Sequence, residues 1–267
     1  MGSEPSGPAT RSLPRAVELA WGLGEPGTRG PRRGMTLEQI LDAAVAVADA
    51  EGFAALSMSR LAKELGYTTM SLYRYVDSKD TLVQLLMDYV LGPPPPIDPD
   101  LPWRDALRAW AMGEFEAIMA HPWWLEIGLS APPTGPNNMA WLEVGLAAMG
   151  KVDLPESLKF QLVMNVSLFV IGRTRVVREL VMSDPKTDAE FGDVMAQVLD
   201  PDRFPAITAA LSAAAFDQED PHWESADFQF GLDRLLDGYE RYVADLADTA
   251  SARHLHAGER DAAVRGE

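Results

Sequence analysis

The sequence predicts an all-α protein in which a small helical domain precedes a larger one. Apolar residues recur every three or four positions along most of the chain, which is the period of an α-helix. No stretch shows the alternation and tight turns of β-strands. A glycine followed by four prolines at 92–96 interrupts the helices, since proline lacks an amide donor. With 267 residues, 47% of them hydrophobic, the chain can form two well-packed domains.

The most specific pattern lies at 58–79, where two short amphipathic helices flank a glycine. Ser57 can cap the first of them, and Gly66 suits the left-handed conformation that ends a helix. A threonine at 68 or 69 can begin the second helix. Leu72 and Val76, four residues apart, then face inward and leave the intervening side chains exposed. This is the outline of a DNA-binding helix-turn-helix.

Two further helices are predicted around this pair. An apolar stripe over 37–51 ends at Gly52 and predicts a helix of about 15 residues that packs over the pair. Ser78 can cap a connecting helix over 78–91, which the proline run ends. The predicted organisation is a flexible extension at 1–34 and a three-helix DNA-binding domain at 35–80, joined to the next domain by the connecting helix.

These features resemble those of the TetR family of bacterial transcriptional regulators. The resemblance covers 36–91 and rests on Gly-Phe at 52–53, Leu-Ala at 61–62, Leu-Tyr-x-Tyr-Val at 72–76 and Lys79. A second resemblance lies at 228–243, which is similar to the final helix of the tetracycline-repressor-type C-terminal domain. The resemblance implies a homodimer that binds double-stranded operator DNA and a small-molecule effector.

The resemblance also implies which residues contact DNA. Arg74 can donate two hydrogen bonds to a guanine edge, whereas Ser71, Tyr73 and Lys79 suit phosphates. The alternative for Tyr73 and Tyr75 is a packing role, and Met70 either contacts a thymine methyl or fills space. The candidate DNA contacts are Arg60, Thr69, Met70, Ser71, Tyr73, Arg74, Tyr75 and Lys79.

The net charge of −17 is unusual for a DNA-binding protein, whose affinity depends on cations near phosphates. Residues 1–92 hold 9 basic and 11 acidic side chains, whereas 93–267 hold 14 and 29, so the acidic excess lies in the C-terminal part. Arg29, Arg32 and Arg33 in the N-terminal extension can reach a narrow minor groove. The alternative is a solvated extension with no DNA contact.

The C-terminal part is predicted to form a helical regulatory and dimerisation domain at 97–249, followed by a flexible tail at 250–267. Within the helix 156–182 the stretch 162–171 is apolar nearly all round, and the helix 225–248 carries an apolar stripe. The resemblance implies that two such helices from each subunit form a four-helix dimer interface. An ordinary monomer core is the alternative. The predicted helices are 103–120, 137–149, 156–182, 188–199, 203–216 and 225–248.

Large aromatic and methionine side chains in this domain predict a pocket for a small hydrophobic effector. Three polar residues could orient the effector, because a buried polar side chain needs a hydrogen-bond partner: His121, Asn165 and Arg173. The alternative is that the apolar residues form core and that protein groups satisfy the polar ones. No copy of the tetracycline repressor's magnesium and drug site is recognisable. The candidate effector residues are Trp110, Phe115, Met119, His121, Trp124, Trp141, Met164, Asn165 and Arg173.

An enzymatic role is not expected. The chain has no cysteine, and it lacks the metal, phosphate-loop, dinucleotide and nucleophile-elbow motifs. We expect no catalytic residue, metal or cofactor, and, with no apolar run near 18 residues and no leader, a cytoplasmic protein. The sequence therefore predicts a DNA-binding regulator, most simply a repressor that a hydrophobic effector releases from a palindromic operator. The alternatives are an activator or a ligand-independent DNA binder.

Overall fold

The computed structural model describes residues 13–23, 34–128, 132–181, 194–213 and 223–264. Over these residues the chain contains α-helices and short 3-10 turns and no β-strand. The all-α prediction is confirmed. The helices are α1 Arg15–Ala20, α2 Leu37–Glu51, α3 Met58–Glu64, α4 Thr69–Tyr73, α5 Lys79–Leu91, α6 Trp103–Ala120, α7 Pro136–Ala148, α8 Glu156–Val181, α9 194–198, α10 Pro205–Ser212 and α11 Trp223–Val264.

The chain divides into two compact units. The first comprises 1–96 and 116–144, and the second comprises 97–115 and 145–267. The segment 116–144, which the sequence analysis assigned to the regulatory domain, therefore groups with the N-terminal helices. Its Trp123 side chain explains this, because that indole lies in the hydrophobic core formed by α2 to α5.

Side-chain caps set the starts of the N-terminal helices. Thr36 and Gln39 form a reciprocal capping box at α2. The hydroxyls of Ser57, Thr68 and Ser78 each accept the backbone N–H three residues ahead and so begin α3, α4 and α5. These caps occur where the sequence predicts them, except that Thr68 alone opens α4.

Gly66 makes the sharp turn between α3 and α4 possible. Its φ of +71° lies in the left-handed region that side chains disfavour. In this conformation the N–H groups of Gly66 and Tyr67 donate to the carbonyls of Lys63 and Ala62, at 3.2 and 2.9 Å. This pair of bonds is a Schellman motif, which satisfies carbonyls at the end of α3.

Part of the predicted flexible extension is ordered as α1. Ala16 is buried, and Leu19 and Ala20 pack against the core of the first unit. The helix lies on α5, and Trp21 Nε1 donates to the carbonyl of Thr134 at 2.8 Å. Within the segment predicted as flexible, these few apolar residues thus form a short helix because they find a surface to cover.

In the second unit α8 packs against α11. Val163, Val166 and Val170 of α8 are fully buried, as are Phe228, Leu232 and Leu236 of α11. The predicted end of the last helix is too early, since α11 continues to Val264, through most of the segment predicted as a tail. Tyr239 Oη donates to the carbonyl of Leu162 at 3.2 Å and ties the two helices together.

Among the described residues, one helix has the length and composition of a membrane span. It is Glu156–Glu179 of α8. The segment contains charged residues, so it is not an uninterrupted apolar run near 18 residues. Its Val163, Val166 and Val170 are buried.

Candidate DNA-binding site

The short helix α4 separates packing residues from exposed ones. Leu72 and Val76 are fully buried, as predicted. Met70 and Tyr73 are 76% and 42% exposed, and Arg74 is exposed one residue after the helix. Because Leu72 faces the core, the turn of about 100° per residue along the helix places the neighbouring side chains on the solvent side. Such a surface, following a tight turn, can enter a major groove.

Polar groups at the start of α4 are prearranged. Thr68 Oγ1 accepts the backbone N–H of Ser71 at 3.2 Å and lies 2.9 Å from the Ser71 hydroxyl. Thr69 and Ser71 are half-buried. Each hydroxyl that rotates away from this arrangement can donate to a phosphate oxygen.

Lys79 stands at the first position of α5. Its side chain is exposed, and Nζ lies 5.9 Å from the centre of the Phe53 ring. Phe53 in turn stacks on Trp123, with ring centres 6.2 Å apart. The contact between an ammonium and an aromatic ring steadies the lysine without neutralising it. The helix N-terminus adds further positive potential, which suits a phosphate.

Arg60 is engaged differently from the prediction. Its guanidinium bonds Glu51 at 2.6 Å and Glu64 at 2.8 Å. Contact with a phosphate would have to compete with these two carboxylates. The geometry therefore assigns Arg60 first to holding α3 against the end of α2.

Two tyrosines near the turn differ in what they present. Tyr75 is half-buried and packs against the core, and a Cβ added at Gly34 would lie 3.0 Å from its hydroxyl. This fits the packing alternative for Tyr75. Tyr67, which the sequence analysis did not single out, is 46% exposed in the turn. The sequence feature that could have identified Tyr67 as a turn residue is its position directly after Gly66. The arm residues Arg29, Arg32 and Arg33 lie outside the described residues.

The connecting helix α5 is anchored by polar bonds within the first unit. The Asp88 carboxylate, 6% exposed, accepts the backbone N–H groups of Asn137 and Asn138 at 3.2 and 2.8 Å. The indole nitrogens of Trp124 and Trp141 donate to the carbonyls of Met87 and Gly92, at 3.1 and 2.9 Å. These indoles were predicted to face an effector, but their polar atoms bind the backbone at the end of α5.

His121 also has a protein partner. Its Nδ1 lies 2.8 Å from Asp49 Oδ1, the same oxygen that accepts Trp123 Nε1 at 2.6 Å. Burial raises the pKa of Asp49, but the bonds from His121 and Trp123 lower it by more, so the net shift is downward. The cluster joins α2 to the 3-10 helix Pro122–Glu126.

The remaining candidate effector residues lie mostly in the second unit. Trp110 and Phe115 are buried, and Phe115 stacks on Phe228 with ring centres 4.3 Å apart. Asn165 is exposed, so the expectation that it is buried is wrong. Arg173 forms an ion pair with Asp227. Met119, in the first unit, and Met164, in the second, are each half-buried.

Sequence reasoning missed the most unusual polar group of the second unit. Glu114 on α6 is 7% exposed; its Oε1 accepts the Ser167 hydroxyl at 2.7 Å, whereas its buried Oε2 has no hydrogen-bond partner. Burial raises the pKa of Glu114 to about 7, against the smaller lowering effect of the Ser167 bond. The sequence feature that could have identified Glu114 is its position between Trp110 and Phe115, on an otherwise apolar turn of the helix.

Two family models match the chain in the order of its domains. The model for bacterial regulatory proteins of the tetR family matches residues 40–86, and the model for the tetracyclin repressor-like C-terminal domain matches 95–243, more than half the chain. The chain belongs to the TetR family. Membership identifies it as a DNA-binding transcriptional regulator and not an enzyme, and it agrees with the helix-turn-helix geometry of α3 and α4.

Comparisons with individual TetR-family proteins agree with this family assignment. The HTH-type transcriptional repressor DrrR1 of Streptomyces coeruleorubidus is 37% identical over 241 residues, covering 87% of each chain. The ActR protein of Streptomyces coelicolor, solved with actinorhodin, is 26% identical with a TM-score of 0.65, covering 78% of this chain and 98% of ActR. Apo ActR is 24% identical with a TM-score of 0.67, and the match covers 79% of this chain and 97% of ActR. The TetR family fold thus extends through both units.

Proposed function

We propose that this TetR-family protein is a cytoplasmic, homodimeric repressor that binds a palindromic operator and leaves it when a small hydrophobic effector binds. The observation that carries the DNA-binding part is the surface of α4, where Met70, Tyr73 and Arg74 are exposed while Leu72 and Val76 hold the helix in the core. Thr69, Ser71 and Lys79 complete the proposed contact surface. Arg74 reads a base edge, and the hydroxyls and Lys79 bind phosphates.

Exposed large apolar side chains on α8 and α11 support the proposed dimer. Phe160, Leu168 and Val176 are 45%, 60% and 46% exposed on α8, and Phe230 and Tyr242 are 64% and 43% exposed on α11. Large apolar side chains on two neighbouring helices are costly to leave in water. A second copy of the same pair of helices covers them with matching chemistry, through an isologous interface.

Dimerisation gives the repressor its operator geometry. Two copies of α4 that enter successive major grooves on one face of B-DNA are about 34 to 36 Å apart. The two half-sites are then inverted repeats, because the protein dimer has a two-fold axis. Since the first 92 residues carry a slight acidic excess, we expect weak sequence-independent binding that depends strongly on salt.

The effector site belongs to the second unit in this proposal. The relative ActR has been solved with actinorhodin, which supports a small-molecule ligand for this chain as well. Buried aromatic walls at Trp110 and Phe115, next to the unpartnered oxygen of Glu114, offer the chemistry that such a molecule uses: apolar contact plus one acceptor. Release requires that the effector bind the DNA-free arrangement better than the DNA-bound one.

A genomic-fragment selection tests the proposal. Purified full-length protein is incubated at low salt with sheared genomic DNA, and the retained fragments are sequenced. We expect an enriched inverted repeat with half-site centres about one helical turn apart. Fluorescence anisotropy of that operator then reports release by a panel of flat aromatic molecules. A folded dimer that enriches no sequence would contradict operator binding, and an operator complex that no member of the panel dissociates would contradict the hydrophobic effector.

A further inference from the structure

The first unit contains a pocket that neither family model covers completely. Its volume is about 500 Å³, and it lies between α1, α5 and the segment 132–138. This volume is within the range of roughly 300 to 1,000 Å³ that is typical of small-molecule sites. The matched family regions begin at residues 40 and 95, whereas one wall of the pocket consists of residues 13–20. That wall is therefore an addition to the matched family core.

The walls of this pocket are apolar and uncharged. Leu13, Val17 and Ala20 form the N-terminal wall, and Leu85 and Met87 of α5 face them. Two prolines at 132 and 133 form part of the third wall. Among the described residues that line the pocket none is ionisable, so a charged ligand would lose its hydration and gain no counter-charge from them.

Polar groups at this pocket are few and partly engaged. The Thr134 carbonyl accepts Trp21 Nε1 at 2.8 Å, and the Asn138 side-chain amide donates to Asp88 at 2.6 Å. Gln84, which is exposed, is also among the lining residues. A molecule here can therefore form only a small number of hydrogen bonds. The site favours a largely hydrocarbon ligand.

The position of the pocket connects it to the DNA-binding core. Leu85 lines the pocket and is also one of the buried residues that hold α2 to α5 together. On the opposite wall, Ala16 is 7% exposed and α1 rests on α5. A ligand in this space touches the N-terminal helix and the connecting helix at once.

We propose that the pocket between α1 and α5 is a binding site for a small, neutral, apolar molecule. The site is separate from the effector site proposed for the second unit and does not depend on it. The contact of Trp21 with Thr134 closes one end of α1 over the site. Its ligand selectivity follows from the uncharged side chains that the described part of the chain contributes to the lining: neutral ring systems bind, and anionic or cationic analogues of the same size do not.

The test uses the full-length protein with 13C-methyl-labelled methionine. Met87 lines the pocket, and its methyl resonance is assigned with Met87→Leu. Titration with 1-aminoanthracene, a neutral three-ring probe, is expected to shift the Met87 methyl saturably. Anthracene-1-sulfonate, which has the same rings and a negative charge, is expected to leave it unchanged.

Three variants of α1, two that fill the pocket and one control, test whether the Met87 response comes from this pocket. Val17→Trp fills the pocket and is expected to weaken the Met87 response at least about tenfold. Arg15→Ala is the matched control, because this side chain is 44% exposed, pairs with Glu18 and does not line the pocket. Ala20→Phe provides a second filling variant in case Val17→Trp does not fold. A Met87 shift that persists in a folded filling variant, or that the sulfonate reproduces, would overturn the proposal, as would an unsaturable response in the unmodified protein.

Discussion

The carboxylate of Asp88 accepts both the backbone N–H and the side-chain amide of Asn138, at 2.8 and 2.6 Å. One acidic residue of the connecting helix α5 thus caps the N-terminus of α7. Gly135 is required beside it, since an added Cβ would lie 2.2 Å from the Asp88 carboxyl carbon. The helix that leads from the DNA-binding core is therefore fixed at its far end by charge-assisted hydrogen bonds.

Replacing Asp88 with Asn should destabilise the protein by about 1 to 3 kcal/mol. The amide cannot accept as many hydrogen bonds, and its NH2 group would face the N–H donors of Asn137 and Asn138. Urea unfolding at a fixed protein concentration measures the change. The control is Asp77→Asn, which alters an exposed residue just before α5 and should change stability by less than about 0.5 kcal/mol. Equal effects of the two substitutions would contradict the capping role.

Glu114 should make stability fall as pH rises. Its folded pKa is raised to about 7, above the ordinary value of 4.5, so between these values the folded state retains a proton that the unfolded state has lost. Stability is therefore fully present below about pH 4.5 and declines until about pH 7, by about 3 kcal/mol in total.

The substitution Glu114→Gln should remove this decline, because glutamine keeps the shape without the ionisation. Thermal or urea unfolding at a series of pH values measures the difference between variant and parent. Glu116→Gln, two residues along the same helix and exposed, is the matched control and should leave the slope unchanged. A Glu114→Gln variant whose pH dependence equals that of the parent would show that Glu114 does not titrate in this range.

Leu168→Asp should convert the proposed dimer to a monomer. Leu168 is 60% exposed in the middle of α8, and the two-fold axis of a shared interface would bring two buried carboxylates into it. Sedimentation velocity at micromolar concentration measures the change in mass. Leu101→Asp, at a 37% exposed position outside α8 and α11, should leave the mass unchanged. A Leu168→Asp protein that still sediments as a dimer would place the interface elsewhere.

Lys79→Ala should weaken binding to every DNA sequence to the same extent. The ammonium at the start of α5 is proposed to bind a phosphate, so its loss should lower the slope of log K against log salt by about 1. Operator and unrelated DNA are compared by fluorescence anisotropy over a range of salt concentrations. Lys151→Ala, a 77% exposed lysine of the second unit, is the control. Altered base preference with an unchanged salt slope would assign Lys79 to a base instead.

The sequence predicted the DNA-binding core well because its signals are local. The caps at Ser57, Thr68 and Ser78, the turn at Gly66 and the inward position of Leu72 each depend on a few neighbouring residues. Helical periodicity likewise located α6, α7 and α8 to within a residue or two. Where local preferences and the final packing agree, sequence patterns are sufficient.

Some contacts of the predicted residues could not be derived from the sequence because their partners lie in other elements. Arg60 and His121 stay candidate ligand contacts, and the fold also brings Glu51 to Arg60 and Asp49 to His121. The sequence of α1 is compatible with one or two helical turns, but it does not indicate that α5 is the surface against which they pack. Periodicity reports which face of a helix is apolar, and it does not report which element covers that face.

Base reading by Arg74, directly after α4, underlies the proposed operator specificity. It is tested by selection from a library in which each base of the operator is randomised, with the parent protein and with Arg74→Ala in parallel. We expect that Arg74→Ala loses preference at one or two base pairs of each half-site, at a cost of about 1 to 3 kcal/mol, and keeps the rest. An unchanged preference at every position, with uniformly weaker binding, would show that Arg74 contacts only the phosphate backbone.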